Sequence, residues 1–375
     1  MSVLLPLTAG SSSVKFSSYE NTTNLLTGQG ENLGPAARLV IDDTKTEIGA
    51  ADHPAALSAI LRAAAPTLTR RALAGVGHRI VHGGVEFHQP TILTNDVLQR
   101  LAALNPLAPL HQPHNLSMVE AARKAFPDAV QIGCFDTAFH HGHPWVNDTF
   151  ALPRSFYDEG VRRYGFHGLS YDYITSALAR DYPNLHEGRV VVAHLGNGAS
   201  MCAIRAGQSV GSTMGFSALD GLPMGTRCGQ LDPGAVLYLL DKGLGNTEIE
   251  TILYRESGLK GLSGISNDMR TLLASDAPEA AQAIDYYVFR IQRELGAMTA
   301  VLGGLDGLVF CGGIGENAAP IRARVLRGMG YLGLVMDDEA NADNGPRITS
   351  GAIPALVIPT DEESVIAKAL MAVLA

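Results

Sequence analysis

Short apolar runs alternate with amphipathic stretches along most of the chain. The apolar runs predict strands, and the stretches with apolar residues at helical spacing predict helices. The predicted strands span residues 3–7, 14–18, 75–81, 130–135, 190–194, 201–204, 307–311 and 355–358. The predicted helices span residues 54–64, 96–104, 116–125, 171–179, 233–240, 278–302, 321–329 and 363–374. This alternation favours layered α/β domains.

A small-residue turn joins the first two predicted strands, in the segment LLPLTAGSSSVKF at residues 4–16. Backbone N–H groups and the hydroxyls of Ser11 and Ser13 can converge there on one anion, and Lys15 adds a positive charge. The turn is not a Walker loop, because the chain contains no Gly-Lys pair. Taken alone, the segment fits either a phosphate cradle or a serine-rich β-hairpin.

A second strand–turn–strand segment lies about half a chain away, in VVVAHLGNGASMCAIR at residues 190–205. Its turn carries His194, Gly196, Asn197, Gly198 and Ser200. Two cradles of this kind indicate a duplicated architecture with a cleft between the halves. The two-domain α/β fold of actin, the sugar kinases and the Hsp70 ATPase, a pair of duplicated ribonuclease H-like domains, is built in this way. We expect that fold here by analogy.

Length and composition indicate a two-domain enzyme. The 375 residues suffice for two domains, which we place at 1–138 plus 364–375 and at 139–363. The net charge of −9 argues against nucleic acid or an anionic membrane as the partner. No apolar run is long enough to cross a bilayer, and MSVLLPL lacks the basic start of a signal peptide. Four separated cysteines without a CxxC pair predict reduced thiols in a cytoplasmic protein.

Polar side chains interrupt apolar segments at several predicted strand ends. Arg79, in GHRIVHGG, fits either a bidentate clamp for a carboxylate or phosphate, or a surface ion pair. Asp136, in CFDTAFHHGHP, either faces the ligand edge of the sheet or caps the next helix. His167 precedes a helix in RRYGFHGLS, and Arg227 lies in the glycine-rich segment MGTRCGQLDP. The histidines at 140, 141 and 143 lack the spacing and the partners of a zinc site.

Two further segments suggest a nucleotide and a metal ion. The strand at 307–311 leads into GGIGEN, which formally matches the dinucleotide pattern GxGxxA from Gly313 onward. No clear βαβ unit follows it, so a dehydrogenase is the weaker alternative, and we expect close backbone approach to an adenine or ribose instead. In IPTDEESV, Asp361, Glu362 and Glu363 begin a helix, where one of them either caps it or binds Mg²⁺ through water.

Taken in order, these segments resemble the acetate kinase family, with its propionate and butyrate kinase relatives. The shared motifs run from Thr8 to about Glu363 and include AGSSS.K, GHR.VHGG, APLH.P, FDTAFH, RRYGFHG, HLGNG, MGTR, SGIS.D.R, GGIGEN and PT.EE. The resemblance implies reversible transfer of the γ-phosphoryl group of ATP to acetate, which gives acetyl phosphate and ADP. It also implies Mg²⁺, for which Mn²⁺ can substitute, and a homodimer. Because a carboxylate nucleophile is already ionised at pH 7, such catalysis depends on positioning and positive charge rather than on a general base.

The same resemblance assigns roles to individual residues. Arg79 and Arg227 would clamp the carboxylate and the transferring phosphoryl group, and His167 would donate to that group. Asp136 would orient an arginine or metal-bound water, while Thr8 and Glu362 would bind the metal. The acyl pocket would be lined by Val81, Leu110 and Phe166. The phosphates and the nucleoside would contact Ser11, Ser13, Lys15, His194, Asn197, Gly198, Asp268, Arg270, Gly313, Gly315 and Asn317.

Two positions depart from the family pattern. Thr8 stands where the family has asparagine, so the contact to metal or phosphate is expected to differ. Ala218 stands where the family usually has proline. The loss of the proline ring can enlarge the acyl pocket by a few methylenes. Each methylene is worth only about 1–3 kcal/mol of discrimination, so the choice between acetate and propionate stays open. We place acetate first because Val81 fills the pocket floor; a non-catalytic ATP-binding switch, like actin or Hsp70, is the alternative from another functional class.

Overall fold

The structure is a computed structural model that describes residues 2–10, 13–42, 44–68, 72–109 and 111–375. The chain divides into two compact units, Met1–His141 with Asp361–Ala375, and Gly142–Thr360. The domain division expected from the sequence, at 1–138 with 364–375 and at 139–363, has edges close to those of the units and stays a prediction about separately folding domains.

The strands and helices are as follows. The strands are β1 Ser2–Ala9, β2 Val14–Glu20, β3 Thr23–Glu31, β4 Gly34–Ile41, β5 Thr44–Ala51, β6 Ala72–Ile80, β7 Thr91–Ile92, β8 Val130–Phe135, β9 Arg189–Leu195, β10 Ala199–Arg205, β11 Gln208–Ser212, β12 Gly307–Cys311 and β13 Ala355–Val357. The α-helices are α1 His53–Leu68, α2 Asn95–Ala102, α3 Gln112–Ala125, α4 Trp145–Asp148, α5 Arg154–Asp158, α6 Gly168–Asp181, α7 Pro183–His186, α8 Pro233–Asp241, α9 Asn246–Thr251, α10 Gly258–Ser263, α11 Met269–Leu273, α12 Pro278–Leu302, α13 Gly312–Asn317, α14 Ala319–Arg327, α15 Asp338–Ala342 and α16 Glu362–Leu374.

The two sheets repeat one topology. In the described part of the first unit the strand order is β5-β4-β3-β2-β1-β6-β8-β7, and in the second unit it is β11-β10-β9-β12-β13. The run β3-β2-β1-β6-β8 therefore matches the whole second sheet: three antiparallel strands followed by two parallel ones. The turns β1–β2 and β9–β10 occupy equivalent places in this order. The predicted fold class, a duplicated ribonuclease H-like α/β fold, is confirmed.

The strands β3, β4 and β5 contradict the sequence analysis, which placed no strand between residues 18 and 75. They extend the first sheet beyond β2 through antiparallel pairing. Their sequences carry few large apolar residues, and most of β5 is exposed to solvent. Single apolar side chains of these strands, such as Leu26, Leu39 and Ile48, pack on the core of the unit. Small and polar residues interrupt them, so most of this segment lacks the hydrophobic run that predicts a strand. The short strand β11 lacks it as well.

The C-terminal helix α16 belongs to the first unit and packs against β1 and β6. Gly75 and Gly77 make the close approach possible, because a side chain on Gly77 would overlap Ile366 and one on Gly75 would lie 2.8 Å from Leu370. Sheet residues such as Leu7 pack on the other helices of the unit, α1 and α3. Within the described ranges, no helix is both long and apolar enough to cross a membrane.

Candidate active site

In the first unit, Arg79 near the end of β6 is held by two carboxylates. Its Nε donates to Asp136 Oδ1 at 2.9 Å and its Nη2 to Asp136 Oδ2 at 2.6 Å, while Glu362 Oε2 lies 3.5 Å from Nε. Burial opposes the charge, but the carboxylates outweigh burial and raise the pKa of Arg79, so this guanidinium is a permanent cation. No described residue accepts a hydrogen bond from Arg79 Nη1, which leaves that group to bind an anion.

Two buried amide side chains of α3 fix the ends of β1 and β6. Asn115 Oδ1 accepts from the N–H of Val81 at 3.0 Å, and Asn115 Nδ2 donates to the carbonyl of Ala9 at 3.1 Å. Gln112 bonds both backbone groups of His82, at 3.1 and 3.0 Å. Since the amides use donor and acceptor atoms together, they set the distance between the first turn and the end of β6.

Glu363 lies beside Thr8 and Lys15, at the adjoining ends of β1 and β2. Burial and the neighbouring Glu362 raise the pKa of Glu363, while Lys15 and the hydroxyl of Thr8 act in the opposite direction. Thr8 and Lys15 are cross-strand neighbours on β1 and β2. In the described chain Thr8 Oγ1 is buried without a hydrogen bond of standard geometry, so its contact to Glu363 is loose. A cation, a hydroxyl and a carboxyl group thus surround the β1–β2 turn.

In the second unit, two side chains converge on Gly198 in the β9–β10 turn. A Cβ atom on Gly198 would lie 3.2 Å from His167 Nε2 and 3.3 Å from Arg227 Nη2. Arg227 Nη1 donates to the carbonyl of Ala218 at 2.9 Å, which fixes the guanidinium. The absent side chain leaves a space beside nitrogen atoms of an imidazole and a guanidinium, an arrangement suited to an anionic oxygen.

The backbone of His167 is strained into the left-handed region, with φ of 58°, immediately before α6. This conformation costs a residue other than glycine about 1–2 kcal/mol, so the surrounding structure must enforce it. The ring stacks on His194 with centroids 4.3 Å apart. The strained backbone and the stacked ring together fix the direction in which His167 points.

The glycine-rich segment after β12 forms the short helix α13. Gly312 has φ of 75° and lies against the backbone of Leu195, where a Cβ would clash at 2.8 Å. Glu316 Oε1 accepts from the N–H of Gly312 at 2.9 Å, and Asn317 Nδ2 donates to the carbonyl of Gly313 at 2.9 Å. A Cβ on Gly313 would meet nothing within 4 Å, so open space lies beside this backbone.

The other predicted nucleoside contacts lie near α11. Asp268 caps that helix and forms an ion pair with Arg270 at 2.7 Å. This contact to Arg270 lowers the pKa of Asp268. Asn267, next to Asp268, donates from Nδ2 to Asn197 Oδ1 at 3.3 Å, and the N–H of Gly225 donates to the carbonyl of Asn197 at 3.0 Å. Asn197 therefore ties the β9–β10 turn to the loops that carry Arg227 and Asp268.

Comparison with known proteins identifies the family. The sequence model of the Acetokinase family matches residues 3–368. The chain belongs to that family. It is 53% identical to the acetate kinase of Methylocella silvestris over 99% of this chain and 98% of that protein, and 51% identical to the acetate kinase of Rhodopseudomonas palustris strain TIE-1 over 98% and 97%.

Solved structures of the acetokinase family share the fold. The acetate kinase of Porphyromonas gingivalis has a TM-score of 0.87 and 34% identity over all of both chains. A propionate kinase of Francisella tularensis has a TM-score of 0.92 and 33% identity over 98% of this chain and 99% of that chain.

The residues expected from the acetokinase resemblance fall into one group in each unit. The first groups Arg79, Asp136 and Glu362, and the second groups His167, His194, Gly198 and Arg227. Thr8 lies against Glu363, and the backbone carbonyl of Ser13 accepts from the N–H of Gly10 at 2.8 Å. Val81 and Phe166 are buried, Gly315 packs on the backbone of Phe310, and Ser11 and Leu110 lie outside the described residues.

Sequence analysis missed the side chains that hold these groups in place. Gln112 occupies the open position of the APLH.P motif, Asn115 follows that motif, and Glu316 lies within GGIGEN. A motif gives no sign of which backbone groups these side chains bond. Ser170 Oγ bonds His194 Nδ1 at 2.8 Å, and Ser200 Oγ bonds His167 Nδ1 at 2.8 Å. Ser200 was listed in the second turn without a role of its own, and Ser170 lies in RRYGFHGLS, which was quoted for His167, so proximity to a motif was the available signal.

The carboxylates of the first unit fit a hard divalent cation. Glu362 and Glu363 at the start of α16 and Asp136 offer oxygen donors, the ligands that Mg²⁺ prefers. Among the described residues, no group of three or more acidic, histidine or cysteine side chains is arranged to hold a metal by itself. Mg²⁺ commonly binds to one or two carboxylates together with water and substrate phosphates, and the donor set is compatible with that mode.

Replacement of Asp136 by asparagine tests whether its carboxylate holds Arg79. We expect Asp136→Asn to lower the free energy of unfolding by about 3 kcal/mol, because a largely buried guanidinium loses the charge that compensates it. Urea denaturation measures the change. Asp96→Asn is the matched control, since Asp96 pairs with Arg100 at the exposed surface and should cost at most about 0.5 kcal/mol. Equal, small losses in both variants would show that Asp136 does not hold Arg79.

Proposed function

We propose that this protein is an acetate kinase, which transfers the γ-phosphoryl group of ATP to acetate and releases acetyl phosphate and ADP. The observation that carries the proposal is the convergence of His167 Nε2 and Arg227 Nη2 beside the empty side-chain position of Gly198. Nitrogen donors at that spacing suit the oxygens of a phosphoryl group in transfer. Membership of the acetokinase family and the names of its relatives support the same activity.

The reaction makes one bond and breaks another, and no proton moves. An acetate oxygen attacks the γ-phosphorus as the bond to the β-phosphate oxygen breaks. Acetate is ionised near neutral pH, so no side chain is needed as a base. The barrier comes from bringing an anion to a polyanion, and fixed donors lower it without reorganising during the reaction.

Each charged group then has a role that its contacts support. The unpaired face of Arg79, at Nη1, binds the acetate carboxylate, and Asp136 keeps that guanidinium from turning away. Arg227 and His167 donate to the phosphoryl oxygens. Lys15 on β2 is close to the turn that binds phosphate, and its charge complements the leaving nucleotide.

Glu363 and Glu362 would hold Mg²⁺ at the start of α16, with Thr8 beside Glu363. The ion would supply positive charge to neutralise nucleotide phosphate. The open backbone beside Gly313 accepts the nucleoside, because no side chain fills that space. Asp268 and Arg270, at the start of α11, border the same ligand.

Acyl phosphate formation tests the activity directly. Purified protein with MgATP is given acetate, propionate or butyrate, and acyl phosphate is trapped as the hydroxamate. We expect the largest kcat/KM with acetate and a decline of about 10-fold or more per added methylene. A maximum at propionate would reassign the substrate within the same class. ATP consumption without acyl phosphate, or no reaction with any acid, would refute the proposal.

Gly198→Ala tests the phosphoryl site. Gly198 has an ordinary negative φ, so alanine is allowed by the backbone, but its methyl group would occupy the space beside His167 and Arg227. We expect a fall of about 10²-fold in kcat with an unchanged melting temperature. The control is Gly211→Ala on β11, whose methyl group would make only ordinary contacts, the closest at 3.6 Å. If Gly198→Ala stays as active as Gly211→Ala, the phosphoryl group does not bind there.

We further propose that the protein is a cytoplasmic homodimer. Helix α8 reads PGAVLYLLD and buries none of its residues, with Leu237 at 62% and Tyr238 at 57% exposure. Phe289 on α12 is also 57% exposed. Apolar side chains this exposed on a soluble protein are typical of an interface, and a second copy is the partner that the family resemblance implies. All four cysteines are free thiols, which suits a reducing compartment.

Sedimentation velocity tests the dimer. We expect the wild-type protein to sediment with twice the mass of one chain, and Leu237→Lys to shift it toward the monomer, because the new charge would be buried at the interface. Lys242→Ala, close by on the same segment, keeps the apolar face and serves as the control. A monomeric wild-type protein, or a Leu237→Lys variant that remains fully dimeric, would refute this use of α8.

A further inference from the structure

His167 is linked through a buried serine to a buried tyrosine. Its Nδ1 lies 2.8 Å from Ser200 Oγ, and the hydroxyl of Tyr171 makes a close hydrogen bond to the same oxygen. Ser200 and Tyr171 have no solvent exposure. Tyr171 lies one helical turn after His167 on α6, and its N–H donates to the carbonyl of His167 at 3.1 Å. The hydrogen-bonded series Tyr171–Ser200–His167 therefore connects the protein interior to Nδ1 of His167. The other ring nitrogen, Nε2, lies beside Gly198.

The direction of these hydrogen bonds decides where the imidazole proton lies. A serine hydroxyl has a single proton, so when it receives one hydrogen bond from a phenol it can donate to the ring. Burial raises the pKa of Tyr171 well above its usual range, which keeps the phenol protonated as a donor. We assign Tyr171 as the donor to Ser200 and Ser200 as the donor to Nδ1, and this assignment places the proton of the neutral ring on Nε2.

We propose that Ser200 and Tyr171 are positioning residues that hold His167 as the Nε2–H tautomer, with its donor facing the Gly198 space. Nε2 is the nitrogen 3.2 Å from the missing Cβ of Gly198. In the other tautomer, Nε2 would present a lone pair to the phosphoryl oxygens, which repel it. The inference rests on the proposed function for its catalytic consequence, but the tautomer itself is independent of the reaction.

The neighbouring histidine provides an internal comparison. His194 stacks on His167, and its Nδ1 lies 2.8 Å from Ser170 Oγ. Ser170 also lies 3.8 Å from the thiol of Cys311, so His194 has its own serine with a different second partner. Removal of each serine should therefore affect the ring that it contacts. A general loosening of the site would affect both rings.

Nitrogen NMR of the full-length protein reads the tautomer. The protein is labelled with ¹⁵N-histidine and recorded without ligand at a pH where the rings are neutral, and His167→Gln assigns the signal among the 12 histidines. We expect His167 to show a protonated Nε2 and an unprotonated Nδ1 that accepts a hydrogen bond. Ser200→Ala should give a mixture of tautomers for His167 and leave His194 unchanged. Ser170→Ala should do the reverse.

Kinetics supplies the second readout. We expect Ser200→Ala to lower kcat by about 10–10²-fold while KM for ATP and acetate changes less than about twofold, because a wrong tautomer weakens the transition state rather than substrate binding. Ser200→Cys, whose thiol is a weaker donor of similar shape, should recover part of the loss. Tyr171→Phe keeps the ring, and its kcat should lie between those of the wild type and Ser200→Ala. It is the test variant if Ser200→Ala fails to fold.

The outcomes separate this inference from the proposed function. Two results overturn the inference whether or not the protein makes acetyl phosphate. One is a wild-type His167 that is protonated on Nδ1, and the other is a His167 tautomer that stays as in the wild type in both Ser200→Ala and Tyr171→Phe. The expected NMR result in a protein without kinase activity would support the inference about His167 while refuting the proposed function. An active protein with unchanged kcat in both variants overturns the positioning role.

Discussion

Cations must be fixed in place before any anion arrives, and much of the local structure around the site serves that requirement. A guanidinium on a flexible side chain would otherwise turn toward the nearest carboxylate or into water. Arg79 is fixed by a bidentate contact to Asp136, and Arg227 by a bond from Nη1 to the carbonyl of Ala218. In each case one face of the guanidinium is used for anchoring, and another points elsewhere. Such preorganisation is the main source of catalysis when neither reactant needs a base.

The two arginines are anchored by different means. Asp136 gives Arg79 a full counter-charge, which lowers the electrostatic attraction that Arg79 can offer to a ligand but makes its position very stable. Arg227 Nη1 donates to a neutral backbone carbonyl, that of Ala218, which fixes the side chain without placing a carboxylate on that nitrogen.

The duplicated topology places two unrelated-looking turns at equivalent positions of the two sheets. The β1–β2 and β9–β10 turns follow equivalent strands, each paired on one side with an antiparallel neighbour and on the other with a parallel strand. At the end of β9 the turn is Gly-rich and leaves room for anions beside His167. At the end of β1 the turn is followed by Lys15 and faced by Glu363. The fold supplies the place, and the side chains from the neighbouring elements decide which ligand atom binds there.

The sequence predicted the buried strands and the motif residues, but not the contacts between motifs. Strands such as β9 and β12 were predictable because their apolar residues are contiguous, whereas β5 is held by backbone pairing that leaves no such pattern. Arg79 and His167 were found through motifs. Ser200 lies 33 residues from His167 along the chain, and the fold brings the two side chains within hydrogen-bond distance. One-dimensional periodicity carries no information about such a contact.

Ala218 shows why a departure from a family pattern has to be interpreted at the level of atoms. The sequence analysis treated its missing ring as a change in pocket size. The structure shows that residue 218 also anchors Arg227, and that it does so through the backbone carbonyl. Proline and alanine present the same carbonyl, so the exchange leaves this anchor intact. The effect of Ala218 on the choice among short acids stays a prediction, and it does not involve the anchor of Arg227.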